Sequence, residues 1–445
     1  MACRGLERIW SGNQQDRHAE GDGRSSVVRH GRSSGIGLPM QRPPDWRPVL
    51  TVSLKVTHRR DYVWRRRSPP SSERRKMLDQ TVYKERIERV QEFLREREAR
   101  LAVLTPSPNF EYLTGIRYEM RERLIALIVP SEENPIIVAP AFEVSNLSAK
   151  TWIDDFLPWS EEDDPYRLLA EATSGWRGRV AMFDDHIPLG VFWAIRSNLT
   201  DVEREDSVTP LLVSMRLHKE PAEVELMKRA GHIIDAAVMK AFSSAHVGMT
   251  EIELRNIIRD EIVRFGGVPT FAAVQFGENS AIPHAEPSSR ELRRGDIVLL
   301  DCGCSVDGYN TDMTRVAVVG EPSDEQQRVY SVVLRAQETA LERIAPGVAC
   351  GTADGFARKV IEEEGFGEYF THRLGHGIGL EVHEPPYLVR GNAQELAPGM
   401  THSVEPGIYL ESKFGVRIED LVVITEDSSE VITYSPKDFY EISVG

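Results

Sequence analysis

The chain has 445 residues, 41% hydrophobic and 28% charged, with a formal net charge of −15. That is room for two or three ordinary soluble domains, and no stretch approaches the roughly 18 consecutive apolar residues of a membrane span. Four cysteines (Cys3, Cys302, Cys304 and Cys350) are too few for a disulfide framework and point to a reducing, cytoplasmic setting. The pair Cys302/Cys304 has no second Cys/His pair at zinc-finger spacing. Residues 1–76 hold 17 Lys and Arg against 7 Asp and Glu, so the remainder is more acidic than the whole. Such a body excludes nucleic-acid binding outside that tail.

Residues 1–76 are rich in Arg, Ser, Gly and Pro and end in "RRRSPPSSERRK". Without periodic apolar runs they are expected to form a disordered basic extension, with Met77 as the true start. A basic interaction tail and a targeting segment are the other readings, the second opposed by the acids Glu7, Asp16, Glu20 and Asp22. From Thr81, "TVYKERIERVQEFLRERE" sets Ile87, Val90, Phe93 and Leu94 on one helical face. "ARLAVLTP", "RLIALIVP", "NPIIVAPAF" and "GRVAMFDD" read as buried strands alternating with helical stretches. This predicts an α/β domain over 77–215.

Pro221 suits the first turn of a helix that carries Leu226, Ile233, Ile234, Ala237 and Val238. Thr250 with Glu253, and Ser323 with Gln326, are capping-box patterns. Further helices are expected at about 323–345 and 352–365. Around them lie the strand-like runs "GDIVLLDCG", "NTDMTRVAVVG", "GMTHSVEPGIYL" and "GVRIEDLVVIT". Helices around strands that pair as hairpins predict an α+β domain over 216–445.

Four carboxylates sit in those runs. Asp301 and Asp312 are separated by "GCSVDGYN", a natural hairpin turn, so antiparallel pairing would bring both to one face. Glu405 and Glu419 flank "GIYLESKFG" as a second hairpin. Acids in apolar strands are costly unless paired, protonated or metal-bound. Arg315 and Arg417 are the partners that ordinary ion pairs would use. Four acids beside the histidine-rich "THRLGHGIGLEVHE" point instead to metal. An oxygen-rich donor set favours hard divalent ions, Mn²⁺ above Zn²⁺, and four negative charges suit two ions better than one. His372 and His376 are four apart, but the zincin order is absent and the glycines at 375, 377 and 379 argue for strand or loop.

"LLDCGCSVDGYNTDMTRV", "HRLGHGIGLEVHE", "SVEPGIYL" and "GVRIEDLVVI" resemble the signature segments of the pita-bread metallopeptidases, in the right order across 216–445. "NFEYLTGI" and the size of the preceding part resemble the creatinase-type N-terminal domain of the Pro-specific members. The resemblance implies an α/β creatinase-like domain followed by an α+β pita-bread catalytic domain. It implies two divalent ions, Mn²⁺ with Zn²⁺ or Co²⁺ as alternatives. Asp301 would chelate one ion, Asp312 and Glu419 would bridge, and His376 and Glu405 would complete the second. Glu405 would also shuttle the proton. His284, His372 and His383 would line the substrate pocket, with His383 on the substrate carbonyl or the oxyanion. Arg417 would orient carboxylates. His402 is an extra histidine, read as supporting the site or exposed rather than ligating. Tyr387 stands where prolidases place an arginine soon after the His-Glu pair. That leaves Arg390 as the candidate grip for a substrate's terminal carboxylate.

The function implied is cleavage of Xaa-Pro bonds in small peptides, foremost an Xaa-Pro dipeptidase (prolidase), by a homodimeric, cytoplasmic enzyme. An aminopeptidase P acting on longer peptides is the alternative, followed by a non-peptidase amide hydrolase or lyase on the same fold. A non-catalytic binding protein would have lost ligand positions, and all five carry competent residues here.

Overall fold

The computed structural model describes residues 78–283 and 285–444. The extension expected over 1–76, and His284, lie outside the described residues. Asp79 caps the first helix, α1 (Gln80–Glu96), by accepting from the Thr81 amide at 2.9 Å. Its expected apolar face is buried at Ile87, Val90 and Leu94 and half-buried at Phe93.

Six strands follow: β1 (Ala99–Leu104), β2 (Ala126–Pro130), β3 (Ile136–Pro140), β4 (Phe156–Trp159), β5 (Val180–Phe183) and β6 (Arg204–Ser207). They form one sheet in the order β4-β3-β2-β1-β5-β6. The strands β1, β2 and β3 pair antiparallel, and the flanking pairs are parallel. Parallel pairs need crossovers: α3 (Val144–Ser148) lies between β3 and β4 and α5 (Leu189–Asn198) between β5 and β6, while α2 (Pro108–Thr114) follows β1 and α4 (Pro165–Thr173) follows β4 on the longer path from β1 to β5. The division expected at 215/216 falls inside α6 (Thr209–Leu217).

The second half opens with α7 (Pro221–Ser244) and α8 (Glu251–Arg264). Thr250 and Glu253 form the expected capping box of α8. Next come β7 (Val268–Phe276), β8 (Ile297–Val306) and β9 (Tyr309–Val319), then α9 (Asp324–Arg343) and α10 (Cys350–Glu363). The last strands are β10 (Gly375–Gly377), β11 (Glu384–Leu388), β12 (Thr401–Val404), β13 (Gly407–Leu410), β14 (Phe414–Arg417), β15 (Asp420–Ile424), β16 (Ser429–Val431) and β17 (Tyr440–Ile442). They make sheets in the orders β17-β9-β8-β7 and β11-β10-β12-β15-β16, with β13-β14 as a separate hairpin. The turn between β8 and β9 is Asp307-Gly308, both at positive φ (47° and 90°). This is the backbone a two-residue hairpin needs.

Period-two alternation assigns the faces of β8 and β9. Val298, Leu300, Cys302 and Cys304 share a core with residues of α7 and α8. Ile297, Leu299, Val316 and Val318 face the other way, into a core shared with α9, α10 and β12–β15. Asp301 and Asp312 have the parity of this second face, and both thiols have the opposite one. Among the described residues no helix is long and apolar enough to cross a membrane.

Candidate metal centre and active site

In the β8–β9 register Asp301 lies opposite Thr314, and Gly303 opposite Asp312. The two acids are therefore diagonal neighbours on one face, as the hairpin spacing predicts. The other pair differs from expectation. Glu405 falls in the break between β12 and β13, and Glu419 in the break between β14 and β15. Val404 pairs with Asp420 on one side of this double break, and Gly407 with Arg417 on the other. Outside regular strands, alternation no longer dictates where a side chain points. The amides stay satisfied, Glu405 by the Leu374 carbonyl (2.8 Å) and Glu419 by that of Thr314 (3.2 Å).

His376 comes from β10, which is squeezed between β11 and β12. The glycines beside it serve this approach: a Cβ at Gly375 would collide with the Ser403 carbonyl, and one at Gly377 with that of Pro385. His376 Nε2 lies 3.3 Å from Glu405 Oε1 and 3.7 Å from Asp312 Oδ2. Ligand atoms of Asp312, His376 and Glu419 all fall within 4.8 Å of one another.

Three carboxylate oxygens here, Asp301 Oδ1, Asp312 Oδ1 and Glu419 Oε1, are buried without a hydrogen-bond partner. Orphaned charged acceptors are expensive in a protein interior. Burial first, then the neighbouring acids, push Asp312 and Glu419 well above the usual carboxylate range. Burial also raises Glu405 to about 7. A cluster that resists its own ionisation is suited to a cation, and its oxygen-rich donors with one imidazole fit a hard divalent ion. Burial lowers His376 to about 3, so its ring is neutral and competent to ligate. An Nδ1–H donated to the Gly377 carbonyl at 3.1 Å would turn the Nε2 lone pair toward the acids.

Arg417 is buried and organises one wall. It donates to Asp301 Oδ2 at 2.5 Å, to Thr314 Oγ1 at 3.0 Å and to the Tyr409 hydroxyl at 2.7 Å. Tyr409 in turn meets His372 Nε2 at 2.9 Å. The His383 ring stands edge-on to His376, centroids 4.1 Å apart. Thr314 also donates to Glu419 Oε2 at 2.7 Å, and Ser403 to Glu405 Oε1 at 3.0 Å. Sequence reasoning missed Thr314, Tyr409 and Ser403. Only Thr314, two after Asp312 and so on the same strand face, carried a usable signal. His402 is fully buried rather than exposed. Its Nδ1 meets the Ser403 carbonyl at 3.0 Å, and burial lowers it to about 4. Arg390 is exposed and paired with Glu362 at 3.0 Å.

A charged clamp, also unforeseen, holds the segment that carries His383. Glu384 is buried, with Oε1 2.6 Å from Lys219 Nζ and Oε2 2.5 Å from Arg216 NH2. Arg216 also reaches Glu381 at 2.6 Å and Asn109 Oδ1 at 2.8 Å, tying this segment to α2. Removing one partner of a buried ion pair costs about 3–5 kcal/mol. Glu384→Ala is therefore expected to lower the thermal midpoint by roughly 5 °C or more. Scanning calorimetry checks this, and an unchanged midpoint would show the clamp to be idle.

Paired hairpins that converge acids and a neutral imidazole define a hydrolase working with divalent cations. Metallopeptidase family M24 matches residues 225–426, and the creatinase/prolidase N-terminal domain matches residues 86–218. An Xaa-Pro dipeptidase of Lactobacillus helveticus is 33% identical over 368 residues, covering 80% of this chain and 99% of the relative. The crystal structure of a prolidase from Thermococcus sibiricus superposes with a TM-score of 0.76 at 36% identity, covering 81% of this chain and 99% of the other. That of an X-Pro aminopeptidase from Thermotoga maritima gives 0.73 at 30% identity, covering 80% and 99%. The chain belongs to metallopeptidase family M24, with a creatinase/prolidase N-terminal domain ahead of the peptidase fold.

Proposed function

We propose that this protein is an Xaa-Pro dipeptidase that hydrolyses small peptides with proline second, using two divalent ions, Mn²⁺ foremost. The observation that carries the reading is the set of three orphaned, buried carboxylate oxygens on Asp301, Asp312 and Glu419, facing His376 and Glu405. The names of the dipeptidase and prolidase relatives support the substrate class. Within it, Asp301, Asp312, His376, Glu405 and Glu419 hold the ions. When bound, the ions supply a hydroxide-like nucleophile at neutral pH and polarise the scissile carbonyl.

The remaining work falls to the chain's own groups. Arg417 holds Asp301 in one orientation and neutralises part of the acid cluster. His383 donates to the substrate carbonyl and to the oxyanion that develops from it. Glu405 accepts the proton of the attacking water and returns it to the leaving imino group of proline. His372, fixed by Tyr409, lines the pocket, and His284 is assigned to the same pocket from its motif. The division into 77–215 and 216–445, a homodimer and a cytoplasmic location belong to the same reading, and sedimentation would test the dimer.

Metal-stripped protein offered Ala-Pro, Ala-Pro-Ala and Ala-Ala, with and without Mn²⁺, tests the function. Mn²⁺-dependent hydrolysis of Ala-Pro alone is expected. Cleavage of the tripeptide would move the assignment to an X-Pro aminopeptidase, the activity named for the Thermotoga maritima neighbour. No cleavage of any of the three would overturn the peptidase reading.

A further inference from the structure

His383 stands in sequence between two acids, Glu381 and Glu384, and both bond Arg216 of α6, at 2.6 and 2.5 Å. Arg216 is itself buried, and its other terminal nitrogen donates to Asn109 Oδ1 of α2 at 2.8 Å. The amide nitrogen of Asn109 donates in turn to Asp184 Oδ1 at 2.8 Å. Asp184, directly after β5, is buried and accepts further bonds from Ser107 Oγ at 2.9 Å and Thr209 Oγ1 at 2.8 Å. A continuous chain of hydrogen bonds therefore leads from the sheet of the N-terminal half to the acids on either side of His383.

Asn109 is the central link. Its neighbours are a cation on one side and a carboxylate on the other, and a carboxamide accepts from the first with its oxygen while donating to the second with its nitrogen. An aspartate would oppose Asp184, and a leucine would leave both groups unpaired. A looser contact runs beside this one: His186 Nδ1 meets Asp184 Oδ1 at 3.1 Å, and its Nε2 lies 3.9 Å from Glu381 Oε1. On the catalytic side, Asn310 Nδ2 of β9 donates to the carbonyls of Gly379 and Leu380 at 2.9 and 3.0 Å. Gly379 leaves room for the clamp, since a Cβ there would come within 2.6 Å of Glu384 Oε1. His383 thus lies in a short stretch pinned at both ends, by β9 at Gly379 and by Arg216 at Glu384.

Resting on the role of His383 in the dipeptidase reading, we propose that Asn109 and Asp184 of the N-terminal half are positioning residues for His383, acting through Arg216 and Glu384. The creatinase-type domain thereby sets where the oxyanion donor stands. Such a donor works by being held in place before charge develops on the substrate oxygen. Loosening its anchor therefore lowers kcat and leaves KM nearly unchanged.

The test is a double-mutant cycle on Mn²⁺-loaded protein with Ala-Pro, using wild type, Asn109→Leu, His383→Ala and the pair. Misplacing a catalytic group by about 1 Å costs on the order of 100-fold, so Asn109→Leu is expected to lose roughly 10- to 100-fold in kcat at near-constant KM. In the His383→Ala background the same substitution should cost less than about 2-fold, because residues that act through one another are not additive. Asp184→Asn, one link further away and nearly isosteric, should show a smaller loss with the same dependence on His383, and it replaces Asn109→Leu if that variant does not fold. Arg100→Met removes another buried arginine of the same half, one bonded to Asp201 at 2.9 and 2.7 Å. It should lower the thermal midpoint and keep kcat. Hydrogen exchange gives a readout independent of turnover: the stretch 378–384 should exchange faster in Asn109→Leu than in wild type or Arg100→Met. Losses that are the same with and without His383, or an equal loss of kcat in Arg100→Met, overturn the positioning role and leave the peptidase reading standing. If wild type hydrolyses no peptide, the peptidase reading falls and exchange alone decides: faster exchange keeps the anchoring of the His383 segment, and unchanged exchange overturns it.

Discussion

Replacing Asp312 with Asn should stabilise the metal-stripped protein while destroying its activity. Asp312 is buried between Glu419, Asp301 and Glu405, and burial with these neighbours raises its pKa well above the ordinary value. A carboxyl whose folded pKa exceeds its unfolded one binds more protons in the native state. Metal-stripped wild type therefore loses stability as pH rises from about 4 through the elevated folded value. Asparagine keeps the shape and removes that loss, so the gap in thermal midpoint between variant and wild type should widen toward neutral pH. With metal the order reverses. A ligand present at about 100 times its Kd adds about 2.7 kcal/mol to a protein that binds it. Wild type gains this stabilisation, and the variant loses much of it. Changes to groups that merely support metal ligands typically cost about 10–100-fold, so loss of a ligand itself should exceed 100-fold in kcat/KM. Calorimetry of stripped and Mn²⁺-loaded samples between pH 5 and pH 8 reads both halves. A variant whose midpoint still rises with Mn²⁺ as in wild type would remove Asp312 from the metal centre.

The second large effect is expected at Arg417. Its guanidinium is buried and donates to Asp301, Thr314 and Tyr409 at once. Arg417→Met leaves a carboxylate without its cation and a tyrosine hydroxyl without its donor, at a cost of about 3–5 kcal/mol. The expected result is a midpoint lower by roughly 5 °C or more and a fall in kcat/KM of at least about 100-fold. Arg417→Lys separates charge from geometry. A lysine restores the positive charge, but its compact ammonium cannot reproduce a planar fork that spans three acceptors. It should recover part of the stability and little of the activity. Wild-type kcat/KM in the lysine variant would reduce Arg417 to a counter-charge.

Much of the architecture was legible in the residues. The helix carrying Ile87, Val90 and Leu94, the two capping boxes and the strands around Asp301 and Asp312 follow from periodicity and local turn chemistry, which act over a few residues. The shared face of Asp301 and Asp312 was legible for the same reason: a two-residue turn at Asp307-Gly308 fixes the register, and register fixes the face. The assignment of Glu405 and Glu419 to strands failed because the breaks that release them arise where one hairpin leaves a sheet formed by distant segments. Nothing local in "SVEPG" or "RIEDL" marks that departure.

The sequence alone therefore determined which side chains are candidates for the chemistry and in what order the elements run, because motif spacing and hydrophobic period are properties of short stretches. Tertiary structure decided the rest. It placed Tyr409 between His372 and Arg417, buried His402, clamped Glu384 between Arg216 and Lys219, paired Arg390 with Glu362 and laid Arg373 over the Tyr387 ring. Each of these depends on which residues, often scores of positions apart, share a desolvated volume. Burial and charge compensation are set by that volume as a whole, and no local pattern encodes them.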